Sequence, residues 1–234
     1  MNDGKQDSFY VLSYSIAKNL HFFEHFLEDA EIYFYDSGDL IYQDNEPVNG
    51  VFVVMDGSVE CFFMENGKKQ ILFIANQGAI LGLTSVISMK KHATAICCKP
   101  STLAFVSVEV LQTWDSDMLL PILQIQAEKL RIFISQIASH SLFCAEERLL
   151  HFLLEMSQDN LCFGRKDLPV HLTFSKCKLA EIINVSRKYV TVLLQNLQKK
   201  CRISVKGNEI FLYPSDIEKL LSDYSSGQKY PEQK

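Results

Sequence analysis

With 234 residues, 47% hydrophobic and 22% charged, the chain has the balance of a protein that folds around real cores, which excludes intrinsic disorder, a collagen repeat and a small disulfide scaffold. No apolar run approaches the roughly 20 residues of a membrane helix, and the first ten residues show no basic-then-apolar leader, so a cytoplasmic protein with no membrane partner is expected. The net charge of -5 hides a division: residues 1–142 carry 9 basic and 17 acidic side chains, residues 143–234 carry 14 and 11, and the stretch 165–206 sets ten basic residues against two acids. That local excess suits a polyanion, with a solvated charged face as the bland alternative.

Ile16, Leu20, Phe23, Phe26 and Leu27 recur at helical spacing and predict an amphipathic opening helix. His21 and His25 stand one turn apart there, but no third ligand is identifiable and no metal site is assigned. From Glu31 to Ser107 the chain reads as short strands: Ile32 to Tyr35, Leu40 to Tyr42, Val51 to Val54, Ser58 to Met64, Gln70 to Ala75, Ala93 to Cys98 and Thr102 to Ser107. Asp36-Ser37-Gly38, Asp56-Gly57, Glu65-Asn66-Gly67-Lys68 and Gln77-Gly78 supply the turns. This pattern predicts a closed barrel or jelly roll.

From Asp117 to about Ser141 apolar residues recur at three and four, predicting a long helix interrupted early by Pro121. The stripe Leu119, Leu123, Leu130, Ile134 and Ile137 is expected to cover the barrel, while Ile122, Ile125, Lys129, Ile132 and Phe133 face another direction. A helix apolar over more than one face needs two partners, and a second copy of the chain is the expected one. A helix buried wholly in its own domain is the alternative.

Cys144 to Met156 predicts the next helix, followed by a loop around Asp159 to Lys166. Ser175 and Ser186 are natural caps for two helices that start eleven residues apart, with Asn184 suited to the left-handed turn between them. Leu179, Ile182 and Ile183 on the first and Val190, Leu193, Leu194 and Leu197 on the second supply a shared core. Ile203 to Val205 and Glu209 to Leu212 then form a hairpin around Lys206-Gly207-Asn208, and the tail from Ser225 is expected to be disordered. This is a winged helix-turn-helix. Ser186, Arg187, Lys188, Tyr189 and Thr191 open its second helix, where side chains reach base edges. Arg187 suits a bidentate pair with guanine, Lys188 a base or a phosphate, and Lys176, Lys199 and Arg202 are expected on phosphates. A generic helical hairpin with a solvated basic face is the alternative.

The expected fold is therefore α+β: an N-terminal jelly-roll β-barrel over residues 1–112, a long dimerisation helix over 113–142, and a C-terminal winged helix-turn-helix domain over 143–234. Seven cysteines at irregular spacing, without a C-x-x-C pair, fit free thiols in a reducing compartment.

Through Leu179-Ala180-Glu181-Ile182-Ile183-Asn184-Val185-Ser186-Arg187-Lys188-Tyr189-Val190, together with Val51 to Gly57, Gln77-Gly78 and Leu81-Gly82, the sequence resembles the CRP/FNR superfamily of bacterial transcription regulators over nearly its whole length. The resemblance implies a cyclic-nucleotide-binding-type barrel, a dimer helix and a homodimer that reads a two-fold-related site on double-stranded DNA. A small-molecule effector felt by the barrel controls it, and RNA polymerase is a further expected partner. Arg187 matches the arginine that many members place on guanine. Lys188 and Val192 replace the glutamate and second arginine of the cAMP receptor protein, which implies a different half-site.

The barrel departs from the cAMP receptors. Their phosphate cassette runs Gly-Glu near its start and Arg-Ser near its end, whereas here Gly82 precedes Leu83 and the matching end reads Ala93-Thr94. A cyclic phosphate would lose its strongest charge-assisted partner, so the effector is expected to be another molecule. Lys90, Lys91 and His92 read as solvated loop charges, and a substitute phosphate contact is their alternative. No cysteine precedes Cys61, against an FNR-type iron–sulfur cluster, and His92 as a lone loop histidine is not read as a haem ligand; no cofactor is expected. A weaker resemblance, through Ala93-Thr94-Ala95 and the helix pattern, links the chain to regulators of reductive dehalogenation that bind chlorinated aromatic acids or phenols. It implies an organic effector lined by Leu83, Thr84, Thr94, Gln126, Lys129 and Phe133.

The leading expectation is an effector-controlled DNA-binding transcription regulator. The second is a ligand-binding signalling module whose C-terminal domain binds protein. An enzyme is not expected, since the chain shows no nucleophile elbow, phosphate loop or clustered metal ligands, and Glu146 and Glu147 read as helix-start charges.

Overall fold

The computed structural model describes residues 11–12, 20–158 and 165–225. The expectations for Ile16, for residues 1–10 and for most of the loop and tail, 159–164 and 226–234, lie outside the described residues. The chain divides into two compact units, Met1–Ile134 and Ser135–Lys234.

The first unit runs β1 (Val11–Leu12), α1 (Leu20–Glu28), β2 (Glu31–Tyr35), β3 (Leu40–Tyr42), β4 (Gly50–Glu65), β5 (Lys68–Ala75), β6 (Ile80–Leu81), α2 (Ser85–Ser88), β7 (Thr94–Ser107) and α3 (Val108–Leu111). A 3-10 turn, Ser116–Met118, then leads into α4 (Leu119–Leu142). The sheet order is β1-β5-β4-β7-β2, with β3 on β7 and β6 on β4. Two pairs of expected strands are joined: Val51 to Val54 and Ser58 to Met64 belong to β4, and most of Ala93 to Cys98 joins Thr102 to Ser107 in β7. Each long strand bends instead of ending. Asp56 pairs with Thr102 and Ser58 with Lys99, so the ladder slips around Pro100, which has no amide to donate. Gly57 takes φ +104° there, and a Cβ on it would fall 2.1 Å from the Ser101 hydroxyl.

Alternation along these strands makes two apolar clusters. Phe52, Val54, Val59 and Cys61 of β4 join Tyr42, Phe73, Ala95, Cys97 and Leu103 in the interior of the roll, with Ile132 of α4 among them and Phe133 packed against them. Val51, Val53, Ala104 and Val106 face the opposite way, onto Phe26, Met118 and Ile125.

The two stripes of α4 are exchanged relative to expectation. Ile125, Lys129 and Ile132 are buried, whereas Leu123, Leu130, Ile134 and Ile137 are all more than half exposed. Hydropathy cannot rank two apolar stripes; the roll is covered by the one whose side chains complete its interior. No helix among the described residues is long and apolar enough to cross a membrane.

The second unit continues from α4 into α5 (Ala145–Gln158), β8 (Val170–Thr173), α6 (Lys176–Ile183), α7 (Arg187–Lys200), β9 (Ile203–Lys206), β10 (Glu209–Leu212) and α8 (Pro214–Ser225). The wing is larger than the expected hairpin, because β8 pairs antiparallel with β10 to give the order β8-β10-β9. Leu149, Leu150, Phe152 and Leu153 of α5 are fully buried alongside Leu179, Ile183, Val190 and Leu197.

Candidate nucleic-acid interface and barrel interior

The helix-turn-helix is built from local chemistry. The Ser175 hydroxyl accepts from the amide of Lys178 at 3.1 Å and starts α6. The helix stops at Asn184, whose φ of 53° and ψ of 60° are the left-handed turn expected of it; its amide and that of Val185 both donate to the Ala180 carbonyl. Ser186 is extended and accepts from the Tyr189 amide at 3.2 Å, starting α7. Val190, Leu193, Leu194 and Leu197 turn inward, which leaves Arg187, Lys188 and Tyr189 exposed on the first turn. Thr191 is half-buried and donates its hydroxyl to the Arg187 carbonyl.

Ion pairing narrows the basic face. Arg165 pairs with Asp167, Lys166 with Glu218, and Arg202 with Asp216. Lys200 reaches Glu146 at 2.6 Å, and the Tyr224 hydroxyl donates to the same carboxylate oxygen at 2.7 Å, tying α7 to α5 and α8. Glu146 is thus a tertiary partner, whereas Glu147 caps its own helix by accepting from the Cys144 amide at 2.8 Å. Among the described residues, Lys176, Arg187, Lys188, Lys199 and Lys206 have no carboxylate partner. The expected phosphate contact at Arg202 is therefore already engaged within the fold. Sequence reasoning missed Arg148, which donates to the carbonyl of Ile183 at the end of α6 and to that of Phe143, placing a cation where the helix dipole favours one.

Inside the roll the structure corrects the reading of Lys91. Its side chain is 1% exposed, and its Nζ donates to the Gly50 carbonyl at 2.8 Å and lies 4.7 Å from the centre of the Tyr42 ring. Lys129 enters from α4, with Nζ 4.9 Å from the centre of the Phe73 ring. Burial pushes Lys91 down to about 8, lowers Lys129 and raises the Cys61 thiol to about 11. The six expected effector residues do not all converge here. Lys129 and Phe133 meet this interior, whereas Leu83 packs against the other cluster, Thr84 is exposed and Thr94 accepts from the Asp44 amide at 3.2 Å. Gln126 is half-buried on α4.

A family model for the cyclic nucleotide-binding domain matches residues 33–114, and one for the Crp-like helix-turn-helix domain matches residues 147–222, together more than half of the chain. The chain belongs to the CRP/FNR superfamily. Its solved structural neighbours include CLP, the c-di-GMP-responsive global regulator of Xanthomonas campestris, at 19% identity and a TM-score of 0.73, over 83% of this chain and 99% of that one. A mutant of CooA from Carboxydothermus hydrogenoformans matches at 20% identity and 0.69, covering 85% and 89%. CprK solved with OCPA matches at 18% and 0.61, covering 84% and 92%. At these identities the likeness is one of fold. No curated protein sequence matches.

As a CRP/FNR member, the protein is a DNA-binding transcription regulator with an effector-domain barrel, not an enzyme. Within that family barrel, Lys91 stands out: a Cβ on Gly82, which has φ +84°, would fall 3.0 Å from its Nζ. The ammonium thus borders the backbone at Gly82.

Proposed function

We propose that the protein works as a homodimer on a two-fold-related DNA site, with a small-molecule effector other than cAMP, bound in the roll, setting its affinity for that site. One observation carries the DNA half of this reading: Arg187, Lys188 and Tyr189 stand exposed on the first turn of α7, and among the described residues no carboxylate neutralises the two cations. Arg187 reads a base, Ser186, Lys188, Tyr189 and Thr191 complete the reading turn, and Lys176 and Lys199 contact phosphate. The exposed stripe Leu123, Leu130, Ile134 and Ile137 supports pairing through α4, because a row of large apolar side chains left in water favours a second copy. RNA polymerase is the protein partner on which such a regulator acts. Six described cysteines are all free thiols, which supports a cytoplasmic setting.

The effector half rests on charge. Lys91 returns one cation to the cassette, yet Leu83 offers nothing to a ribose hydroxyl and no arginine fork meets the phosphate. A ligand acts by binding the DNA-competent dimer better than the other state, and a coupling of about 1 to 3 kcal/mol changes DNA affinity roughly 5- to 150-fold. Sequencing DNA fragments retained by the purified protein, with and without small molecules from cell extract, should yield one two-fold-related motif whose recovery depends on the extract. Retention without any shared motif would sink the regulator reading. Calorimetry with cAMP should show no saturable binding at micromolar concentration.

A further inference from the structure

The buried row of α7, Val190, Leu193, Leu194 and Leu197, occupies one side of that helix. At roughly 3.6 residues per turn, Lys188, Val192, Gln195 and Lys199 share the opposite side, and all four are exposed. Val192 alone among them has no polar atom in its side chain; it is 41% exposed, whereas Leu193 and Leu194 beside it are each 2% exposed. Among the described residues of α6 and α7, Tyr189, one turn earlier, is the other large apolar side chain left in water. The hydroxyl of neighbouring Thr191 turns back onto the Arg187 carbonyl at 3.3 Å, so its donor is used within the helix.

A helix face selected for solubility alone carries Lys, Glu or Gln at such a position, because valine there loses rotamer freedom and leaves its methyl groups in water. The neighbours of Val192 determine what covers it. Lys188 and Lys199 lie along the same row, Arg187 flanks it, and among the described residues none of the three has a carboxylate partner. A row of unneutralised cations with one apolar patch in it fits the major groove of DNA, where phosphates border the groove and one base edge is itself apolar. That edge is the 5-methyl group, which thymine carries and cytosine gains on methylation. We infer that Val192 is a specificity-determining residue that reads the 5-methyl group of a pyrimidine in each half-site. With neither donor nor acceptor, its side chain returns nothing to the amino group of an unmethylated cytosine that loses water beneath it. This deepens the DNA-binding reading of α7 and rests on it.

The test measures binding of the full-length protein to the duplex recovered by fragment sequencing. Each thymine is replaced in turn, symmetrically in both half-sites, by deoxyuridine, which lacks only the 5-methyl group. At one position uracil should weaken binding by about fourfold per half-site, the worth of burying one methyl group. Val192→Ala should bind the thymine and uracil duplexes alike, and alanine is the better helix former, so α7 persists in this variant. Val192→Ile keeps an apolar surface and should retain the difference. In a parallel arm each cytosine is replaced by 5-methylcytosine. A Val192-dependent gain there extends the reading to methylated DNA, whereas a difference confined to uracil assigns the methyl group to thymine alone. The inference is overturned if neither exchange changes affinity at any position, the result expected if Val192 serves a protein partner instead, or if Val192→Ala keeps the difference. Loss of motif-specific retention altogether removes the DNA-binding reading of α7, whereas a shared motif indifferent to both exchanges removes only the role of Val192.

Discussion

Arg202 and Asp216 form a two-point pair, with Nε 2.7 Å from Oδ2 and Nη2 2.7 Å from Oδ1, while the guanidinium lies 4.0 Å from the centre of the Tyr213 ring. One hydrogen-bonding edge and one face of the cation are thereby engaged, pinning the approach to β9 against α8. Arg202→Ala should leave the salt dependence of DNA binding unchanged, whereas Lys176→Ala and Lys199→Ala should each reduce its slope by about one. The bond to Arg202 holds the Asp216 carboxyl below its ordinary 3.8. A depressed carboxylate contributes stability that is complete above the unfolded value and disappears as pH falls through the folded one. The melting-temperature gap between the parent and Arg202→Ala should therefore be constant above pH 4 and close in more acidic buffer.

On α7, removal of the Arg187 side chain should cost about 1 to 3 kcal/mol on the preferred site and relax selectivity at one base of each half-site. Competition binding against a randomised half-site measures both. An unchanged motif at unchanged affinity would mean that another element reads the bases.

The Ser186 cap can be tested without DNA. Ser186→Ala strips the Tyr189 amide of its 3.2 Å acceptor and should lower stability by about 1 kcal/mol, while Ser186→Asp should restore most of it. Urea unfolding of the two variants gives the comparison; equal midpoints for parent and alanine variant would contradict the cap.

The exchanged stripes of α4 change which substitutions should separate the subunits. Leu130→Asp with Ile134→Asp should give folded monomers, since both side chains face water in the single chain. Ile125→Asp and Ile132→Asp should instead damage the roll, because they bury an unpaired carboxylate at positions only 5% and 3% exposed. Light scattering with parallel thermal melts distinguishes the two outcomes, and a monomeric parent at micromolar concentration would count against pairing through this helix.

Lys91 should leave a mark on alkaline stability. Its folded value of about 8 lies below the ordinary 10.5, so between these values the unfolded chain binds more protons and stability rises with pH. The full penalty, about 3 kcal/mol by the conversion of 1.36 kcal/mol per unit, is present below pH 8 and recedes toward 10.5. Cys61, Cys98 and Cys201, each raised from 9.0 to about 11, act in the opposite sense above pH 9. The readable quantity is thus the difference between the parent and Lys91→Met in urea melts from pH 7 to 10, which should move in the parent's favour. A flat difference would place the ammonium in water.

What the amino-acid order determined by itself is the part written in near neighbours. Caps at Ser175 and Ser186 and the left-handed Asn184 lie within four residues of the groups they bond, so the helix-turn-helix and its exposed Arg187 were legible directly. Period alone distinguished the strand region from the long helix. Only the tertiary structure decided that β4 and β7 bend through Gly57 and Pro100 instead of ending, because a bulge and a turn use the same residues. It also decided which α4 stripe meets the roll, that Arg202 belongs to Asp216, and that Lys91 points into an aromatic interior from what reads as a solvated loop. Each of these depends on approach between distant segments, such as Lys91 to Gly50, and the direction taken by a long side chain is set by the space that such segments leave, not by its neighbours in sequence.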